Sequence, residues 1–435
     1  MSYNSLQEKL IVFTRYPVPG KTKTRLIPDL GSAGAAELQR ILTEKIFHTA
    51  KSSSIFGSFK IEIGFEGGDI KRMQKWLGTD SDYYAQESGD IGERMNAAFL
   101  RSFDSGSRRV VLIGSDIPGI DEKQIYQAFK ELETSDIVLG PSGDGGFWLI
   151  GLKETLNIFS NIDWSSEKVL DQTIMAAQKL GKEISFLDTL FDIDTIDDLK
   201  ICKINKESVK PYLSVIIPTL NEADNIEVTI RSVINEDTEI IVVDGGSTDN
   251  TVGLARKSGA RVITSKKGRA VQQNKGVPFA KGKVLLFLHA DTILPGGYIK
   301  HIFETFMNPD NTAGAFRFKT DDKQAFMRFI EYIANIRSIY LQLPYGDQGL
   351  FIKREIFDKI GGFPEIPVAE DLFLVRLLTG YGKIKTLKVP AITSSRRWRE
   401  YGIIRTSLIN MIIMTGCFLN FRPSLLARLY RLISI

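Results

Sequence analysis

The sequence predicts an α/β protein of two domains, each with a mainly parallel central sheet, followed by a C-terminal helical tail. Short continuous apolar runs such as 109–114 and 284–288 are typical of strands that are buried on both faces. These runs alternate with helical segments, which implies right-handed crossovers between parallel strands. A chain of 435 residues is long enough for two such domains.

The first half alternates strands and helices as far as residue 199. We predict strands at 9–14, 60–66, 109–114 and 136–140, and helices at 33–52 and 125–133. Residues 201–212 are Lys-rich and polar and include Pro211, so we interpret them as a linker. The predicted first domain is therefore 1–200.

The second half starts the alternation again. We predict strands at 213–219, 239–244, 261–265 and 284–288, and helices at about 224–235 and 248–258. Asp224 or Asn225 is expected to cap the first of these helices, and Asp249 the second. The predicted second domain is 213–400, and residues 401–435 are expected to form amphipathic C-terminal helices.

Composition and charge narrow the function classes. The formal net charge is only +4, but the segment 396–435 contains seven Arg and one acid, Glu400. This tail either contacts a membrane surface or an anionic ligand, or closes the core with a solvated Arg face. Cys202 and Cys417 are interpreted as unpaired thiols of a reducing compartment. The sequence shows no broad basic face, which disfavours nucleic-acid binding. The three His lack the spacing of metal ligands, which disfavours a metal site of the Cys/His type.

The N-terminus has no signal-peptide pattern, so we expect a cytoplasmic protein. The most apolar segment, 403–421, contains Arg405, Asn410 and Asn420, which disfavours a membrane span. Peripheral contact with the inner face of the membrane through the tail remains a hypothesis.

An acid follows a buried strand in each half, at Asp116 and at Asp291. Open α/β sheets bind ligands beyond the carboxyl ends of their strands. Asp291 is a hard oxygen ligand suited to Mg²⁺ or Mn²⁺. Glu370 and Asp371 begin a predicted helix, where they either compensate the helix dipole or supply a general base for an acceptor hydroxyl.

Further polar residues of the second half accompany these acids. Arg and Lys side chains suit phosphate oxygens, and carboxylate and amide groups at strand ends suit the rest of a nucleotide. The candidates for donor binding are Asn221, Glu222, Asp244, Lys267, Arg269, Asn274, Arg397 and Trp398.

Residues 213–400 resemble family-2 glycosyltransferases of the GT-A fold. The motifs PTLNEADNI, VVDGGSTDNT, GRAVQQNKG, LLFLHADT, GDQGLFIKRE and AEDL carry this resemblance in sequence order. It implies that Asp244 contacts the base or ribose, that Asp291 is the remaining metal ligand of a D-x-D motif, and that Asp371 is the base of an inverting displacement. His289 replaces the first acid of that motif. The chain looks most similar to members identified with arsenosugar biosynthesis.

The first half contains a cationic loop after its first strand, with Lys21, Lys23 and Arg25 suited to phosphates. It is not a P-loop, because Arg15 occupies the first Gly position. Asp192 and Asp194 would share one face of an extended segment. We expect Asp116 and Asp194 to hold Mg²⁺ together, and Asp144 to lie at a sheet edge near the nucleotide.

Residues 9–199 look like the nucleotidyltransferase-like GT-A family that includes phospholactate and molybdenum-cofactor guanylyltransferases. PVPGKTKTRL, GDIGERM, GSDIP, GDGGFWLIGL and DIDTIDDL carry this resemblance. It implies an activating domain that binds a nucleoside triphosphate.

The leading hypothesis is a bifunctional enzyme that uses nucleotide and nucleotide-sugar substrates, a divalent metal and a small hydroxyl acceptor. The alternatives are two sequential glycosyltransferases, or one glycosyltransferase with a catalytically silent N-terminal nucleotide-binding module. An amphipathic helix predicted within 324–344 either covers the acceptor site, contacts lipid with a polyprenyl-phosphate acceptor, or forms a homodimer face.

Overall fold

The computed structural model describes residues 8–55, 57–419, 421 and 425–428. Contacts between Cα atoms divide the chain into two compact units, Met1–Ser208 and Val209–Ile435. Each unit contains one central sheet with helices packed against it.

The first unit contains a seven-stranded sheet. Its strands are β1 Glu8–Arg15, β2 Phe59–Glu66, β3 Asp82–Ala85, β4 Arg109–Gly114, β5 Ile137–Pro141, β6 Phe147–Leu152 and β7 Ile184–Phe186. Its helices are α1 Ile27–Leu30, α2 Ser32–Ser53, α3 Ile70–Leu77, α4 Ile91–Asp104, α5 Glu122–Thr134, α6 Val169–Lys179 and α7 Ile196–Ile201. The strand order is β3-β2-β1-β4-β6-β5-β7. β6 is antiparallel to β4 and β5, and the other pairs are parallel.

The second unit contains an eight-stranded sheet. Its strands are β8 Leu213–Thr219, β9 Thr238–Asp244, β10 Arg261–Thr264, β11 Val284–Phe287, β12 Thr292–Ile293, β13 Asn311–Thr320, β14 Leu350–Lys353 and β15 Lys383–Thr393. Its helices are α8 Ile226–Val233, α9 Thr251–Lys257, α10 Arg269–Gly276, α11 Tyr298–Phe306, α12 Ala325–Tyr340, α13 Arg354–Ile360, α14 Glu370–Leu378, α15 Arg396–Tyr401 and α16 Ile403–Phe418. The strand order is β10-β9-β8-β11-β14-β13-β15-β12.

The two sheets share one topology. When the strands are numbered from the start of each unit, both sheets begin with the order 3-2-1-4, and the next strand in each sheet is antiparallel to strand 4. The second sheet has β12 as an additional edge strand. The predicted fold class is therefore confirmed: two α/β units with mainly parallel central sheets, followed by C-terminal helices. Asp116 after β4 and Asp291 after β11 occupy equivalent places in the two sheets.

Central strands form the core of each unit because helices cover both faces of the sheet. Leu10, Ile11 and Val12 of β1 are fully buried, as are Leu285 and Leu286 of β11. This explains why these strands are continuous apolar runs instead of alternating ones.

The tail contributes to the core of the second unit. Ile409, Ile413 and Cys417 of α16 are buried in the same cluster as residues of β11 and α14. This agrees with the interpretation of the tail as a core-closing helix, although other α16 side chains are exposed. No described helix is both long enough and apolar enough to cross a membrane.

Helix capping in the second unit agrees only in part with the prediction. Asn225 is the N-cap residue of α8, but its side chain makes no capping bond and instead donates to Glu222. Asp249 precedes the N-cap residue of α9 and accepts hydrogen bonds from Thr251 and from the amide of Ala223. Part of the predicted linker is also folded, because a 3₁₀ turn spans Lys206–Ser208 and Tyr212 is buried.

Candidate active sites at the strand ends

A cavity of about 410 Å³ opens beside the segment that follows β11 in the second unit. The turn after this strand is held in place, because Thr229 donates to the carbonyl of Ala290 and Ser394 donates to that of Asp291. Four carboxylates line the cavity together with two guanidinium groups. These are Asp291, Asp347, Glu370, Asp371, Arg269 and Arg397.

Asp291 is half-buried at the floor of this acidic region. Burial and the carboxylate of Glu222 raise the pKa of Asp291, and Arg396 lowers it. Arg396 itself forms an ion pair of 2.6 Å with Glu222. Glu222 thus lies near the predicted metal ligand, but its carboxylate is paired with Arg396 and also accepts from Asn225.

His289 precedes Asp291 by two residues and also lines the cavity. Burial lowers the pKa of His289 well below its ordinary range, and the charge of Arg269 lowers it further, so the imidazole is neutral at physiological pH. Its Nε2 is buried and has no hydrogen-bond partner among the described residues. A neutral imidazole with an unused ring nitrogen is a good ligand for a transition metal.

His289 and Asp291 are the two residues of this segment that could hold a divalent cation. Among residues 8–55, 57–419, 421 and 425–428, no group of three or more His, Cys, Asp or Glu is arranged to hold a metal. His289 and Asp291 therefore offer one nitrogen and one carboxylate, and a bound diphosphate would have to complete the coordination. A mixed nitrogen and oxygen set suits Mn²⁺ better than Mg²⁺.

Glu370 and Asp371 begin α14, as the sequence predicted for a helix start. Asp371 accepts one hydrogen bond from the amide of Gly346 at 2.7 Å and one from the amide of Leu372 at 2.8 Å. Glu370 is buried and lies 3.4 Å from Arg269. Burial and the charge of Asp371 raise the pKa of Glu370.

Gly346 allows Asp371 and His289 to approach the same backbone segment. A Cβ atom at this position would lie 2.9 Å from Nε2 of His289 and 3.3 Å from Oδ2 of Asp371. A side chain there would displace the acid and the imidazole, so glycine is required for the close approach of all three residues.

Asp347 is a site residue that our sequence reasoning missed. It follows Gly346 in the turn before β14 and lines the cavity. Burial raises the pKa of Asp347 to about 6; Arg337 opposes this shift, and Asp371 adds to it. The repeated Gly-Asp-x-Gly pattern, present at Asp144 and at Asp347, was the signal that could have identified it.

Several predicted donor-binding residues have local structural roles. The side chain of Asn274 donates to the carbonyl of Phe363 at 2.8 Å and accepts from its amide at 2.9 Å. Its role as a phosphate ligand stays a prediction. Asp244 accepts from the amides of Gly246 and Ser247 in the turn after β9.

Asn221, Lys267 and Trp398 lie in three different environments. Asn221 accepts from the amide of Thr248 at 2.8 Å and so ties two loops together. Lys267 is exposed before α10 and does not line the cavity. Trp398 does line it, packs on Phe318 with ring centroids 5.9 Å apart, and leaves its Nε1 without a described partner.

In the first unit, a cavity of about 480 Å³ lies at the ends of β1 and β4. Four cationic side chains line it together with two of the predicted metal ligands. These are Arg15, Lys23, Arg25, Arg94, Asp116 and Asp194. Lys21 is exposed and is not part of this lining.

The two predicted metal ligands of the first unit share a lysine. The Nζ atom of Lys23 lies 3.8 Å from Asp116 and 3.6 Å from Asp194, and it donates to the carbonyl of Ile193. Arg25 pairs with Asp194 at 3.0 Å. The ammonium group of Lys23 thus lies near both predicted Mg²⁺ ligands, and the metal site at Asp116 and Asp194 stays a prediction.

A second cavity, of about 240 Å³, also includes Asp116, and its lining contains Asp144, Asp192 and both aromatic and aliphatic side chains. Asp192 and Asp194 thus line different cavities, although the sequence placed them on one face. Burial raises the pKa of Asp192 to about 6, and the charges of Asp144 and Asp116 add to this. Asp144 accepts from Ser142 and from the amide of Gly146 in the turn before β6.

Comparison with protein families assigns a type to each half. Residues 214–363 match the model of the glycosyl transferase family 2. Residues 50–166 match that of an uncharacterized family conserved in bacteria, DUF2064. The chain therefore contains a family-2 glycosyltransferase domain and a DUF2064 domain.

Two curated relatives that this chain resembles are described as glycosyltransferases. A PGL/p-HBAD biosynthesis glycosyltransferase of Mycobacterium tuberculosis is 39% identical over 94 residues, which are 19% of this chain and 37% of that protein. Glycosyltransferase AglE of Haloferax volcanii is 25% identical over 174 residues, which are 36% of this chain and 57% of that protein. The chain thus spans only part of the length of either relative.

A solved structure from Desulfovibrio desulfuricans G20, described as a nucleotide-diphospho-sugar transferase, is 32% identical to this chain. The match covers 45% of this chain and 85% of that one, with a TM-score of 0.42.

Proposed function

We propose that the second unit transfers a glycosyl group from a nucleotide-sugar to an acceptor hydroxyl with inversion at the anomeric carbon. The observation that carries this proposal is the meeting of Asp291, Glu370 and Asp371 with Arg269 and Arg397 in one cavity at the strand ends of a family-2 domain. The arginines provide charge for a diphosphate, and the acids provide a base and a metal ligand.

Asp371 is the proposed base. Its carboxylate is oriented by the amides of Gly346 and Leu372, which donate to different oxygens. A carboxylate oriented in this way can accept the proton of the acceptor hydroxyl. Glu370 instead faces Arg269 and would hold that guanidinium near the diphosphate.

His289 and Asp291 are the proposed protein ligands of Mn²⁺, or less favourably of Mg²⁺. When bound, such a cation would offset the negative charge of the departing diphosphate. The guanidinium groups of Arg269 and Arg397 line the cavity and would also offset the negative charge of the departing diphosphate.

The test is turnover of a panel of nucleotide-sugars by the full chain with Mn²⁺, followed through release of nucleoside diphosphate and formation of glycoside. We expect Asp371→Asn to reduce transfer about 100-fold or more while donor binding persists, because a positioned base contributes on that order. The matched control is Asp358→Asn, since Asp358 is an exposed acid of α13 paired with Arg354. Full activity of Asp371→Asn would place the base elsewhere, and no turnover of any donor would refute the proposal.

We propose that the first unit is a nucleotide-binding domain related to nucleotidyltransferases, in which Lys23 and Arg25 contact phosphates. The cationic lining of its larger cavity supports this. A nucleotidyltransferase would also need a metal near Asp116. The ammonium of Lys23 between Asp116 and Asp194 favours the second candidate, a module that binds nucleotide without catalysis.

Pyrophosphate release from nucleoside triphosphates distinguishes these two candidates. Release by the full chain that is lost in Asp116→Asn and kept in Asp371→Asn would support nucleotidyl transfer. A nucleotide-induced rise in the unfolding midpoint without any release would support the binding module.

A further inference from the structure

The second unit exposes an apolar face that the proposed chemistry does not use. It is formed by α12 and α16, which carry exposed side chains such as Phe329 (58% exposed), Ile333 (48%), Ile404 (65%) and Met411 (52%). Scattered exposed apolar residues are ordinary, but a contiguous set on two helices indicates a binding surface.

These helices enclose a groove of about 580 Å³. This volume lies within the range of about 300–1,000 Å³ that is typical of small-molecule sites. Its lining is almost wholly apolar, and Arg337 and Asp347 are the charged residues among the side chains that form it. Such a groove suits a hydrocarbon chain better than a sugar or a nucleotide.

The groove and the candidate active site share part of their walls. Tyr345, Asp347, Trp398 and Asn410 line both cavities. A molecule whose chain occupies the groove would therefore place its end beside the carboxylates of the active site. Continuity of this kind is expected where one substrate has an apolar tail and a reactive polar head.

Trp398 lies where the two cavities share a wall and has an unsatisfied donor. Its Nε1 is buried and has no hydrogen-bond acceptor in the described part of the chain. A buried indole N–H without a partner is unfavourable, and an oxygen at the head of a bound molecule would satisfy it. This points to a ligand with an oxygen-containing head.

The charge of the active-site cavity indicates whether the head of the bound molecule is neutral or anionic. Asp347 and Asp371 lie near the shared wall, and the cavity contains four carboxylates but two arginines. When Arg269 and Arg397 hold the donor diphosphate, Asp347 and Asp371 outnumber Arg337, the remaining cation of this region, and this balance disfavours a second anion. A neutral alcohol fits this environment, whereas a lipid phosphate does not.

We infer that the groove between α12 and α16 holds the hydrocarbon chain of an amphiphilic alcohol, whose hydroxyl group is the glycosyl acceptor. The inference rests on the proposed glycosyl transfer and replaces a small acceptor with one that has a long apolar tail. In the reaction, the acceptor oxygen attacks the anomeric carbon, its proton goes to Asp371, and the nucleoside diphosphate leaves with the bonding electron pair.

Binding can be tested without any glycosyl transfer. The probe is 2-bromo-1-dodecanol, whose bromine lies beside the hydroxyl group that the inference places at Trp398. Bromine quenches nearby tryptophan fluorescence, and the signal from Trp398 is the difference between the full-length protein and its Trp398→Phe variant. We expect saturable quenching of Trp398. Across shorter bromoalcohols, affinity should fall about fourfold for each methylene removed.

The double variant Ile333→Gln/Met411→Gln should weaken this binding on the order of tenfold or more. Both residues are exposed, so the fold should tolerate the change. The matched control is Val228→Gln/Ile234→Gln, which alters equally exposed apolar residues outside the groove and should leave binding unchanged. Equal affinity in both double variants would overturn the inference.

Transfer assays separate failure of this inference from failure of the proposed function. If donor turnover depends on Asp371 but is equal for butanol and dodecanol as acceptors, the proposed glycosyl transfer stands and the role of the groove in acceptor binding is refuted. Saturable quenching without any donor turnover would support the groove and refute glycosyl transfer. A strong preference for dodecyl phosphate over dodecanol would refute the neutral head.

Two other occupants of the groove give distinct results. If a second copy of the chain covers it, the protein is dimeric and Ile333→Gln/Met411→Gln is monomeric by analytical ultracentrifugation. If the last residues of the chain fill it, quenching appears only after residues 429–435 are deleted. Either result would overturn the inference.

Discussion

The two units place an ion pair in equivalent loops but with the charges exchanged. In the first unit, the cation Arg25 follows β1 and the acid Asp194 follows β7, and their side chains lie 3.0 Å apart. In the second unit, the acid Glu222 follows β8 and the cation Arg396 follows β15, at 2.6 Å. One topology therefore supports opposite electrostatic arrangements around the strand ends.

This exchange has a consequence for the acids after β4 and β11. Lys23 lies within 4 Å of Asp116 and Asp194, so the acids of the first unit have a cation from their own chain. Asp291 of the second unit has a raised pKa, and His289 beside it has an unsatisfied ring nitrogen. We therefore expect the second site to accept an external cation more readily than the first.

Helix capping shows a related difference. Asp90, Asp121 and Thr195 form complete capping boxes in the first unit. In the second unit, the N-caps of α10 and α14 are Gly268 and Ala369, which provide no side-chain cap and have positive φ values of 141° and 62°. Both of these residues line the candidate active site.

The largest expected effect concerns the two acids whose pKa is raised to about 6, Asp192 in the first unit and Asp347 in the second. A carboxyl with a raised pKa binds its proton more tightly in the folded state, so its contribution to stability is lost as pH rises from about 4 through 6. We expect Asp192→Asn and Asp347→Asn to match the wild type near pH 4 and to unfold at higher temperature above about pH 6.

Thermal unfolding across this pH range measures the effect, and Glu304→Gln, a change at an exposed acid of α11, is the control. Variants that are less stable than the wild type at neutral pH would show that these carboxylates are stabilised as anions by partners.

Lys23→Met directly tests the difference between the acid sites of the two units, because it removes the cation that lies beside Asp116 and Asp194. Loss of the ammonium removes the cation that lies within 4 Å of both Asp116 and Asp194 and leaves Asp194 its pair with Arg25, so we expect a loss of about 1–3 kcal/mol in the free energy of unfolding. Mn²⁺ should then stabilise the variant more than the wild type, since the cation can replace the lysine. Lys21→Met, a change at an exposed lysine in the same loop, is the control. An equal response to Mn²⁺ in all three proteins would contradict this explanation.

Variants of N-cap residues test the difference in helix capping between the two units. Asp121→Ala removes a capping box from α5 and should cost about 1 kcal/mol. Asn250→Ala changes an N-cap residue of α9 whose side chain makes no capping bond, so it should cost about 0.5 kcal/mol or less. Chemical denaturation compares the two values, and similar costs would mean that Asn250 caps α9 in solution.

The exchanged ion pair predicts the smallest effect. Arg396 is half exposed, so its pair with Glu222 should contribute about 0.2–1 kcal/mol. Glu222→Arg should lose this amount, and Glu222→Arg with Arg396→Glu should recover it by restoring opposite charges in the order seen in the first unit. A double-mutant cycle at low and high salt measures the coupling. Coupling that does not weaken with salt would indicate a pair more shielded than its exposure suggests.

The sequence by itself determined the fold class and the position of the main acids. Apolar runs such as β1 and β11 are local patterns, and the acids that follow such strands must lie at one edge of a parallel sheet. Asp116, Asp291, Glu370 and Asp371 were therefore predictable from spacing and motif, without knowledge of long-range contacts.

Tertiary structure alone decided how each charge is used. Lys23 donates to the carbonyl of Ile193, which is 170 residues away in the sequence. Asn274 is hydrogen-bonded to Phe363, which is 89 residues away. The burial of Asp347 and the groove between α12 and α16 likewise depend on elements that are distant in sequence. The physical reason is that ion pairing, pKa and apolar burial depend on distances in space, and local periodicity does not specify which distant side chains will meet.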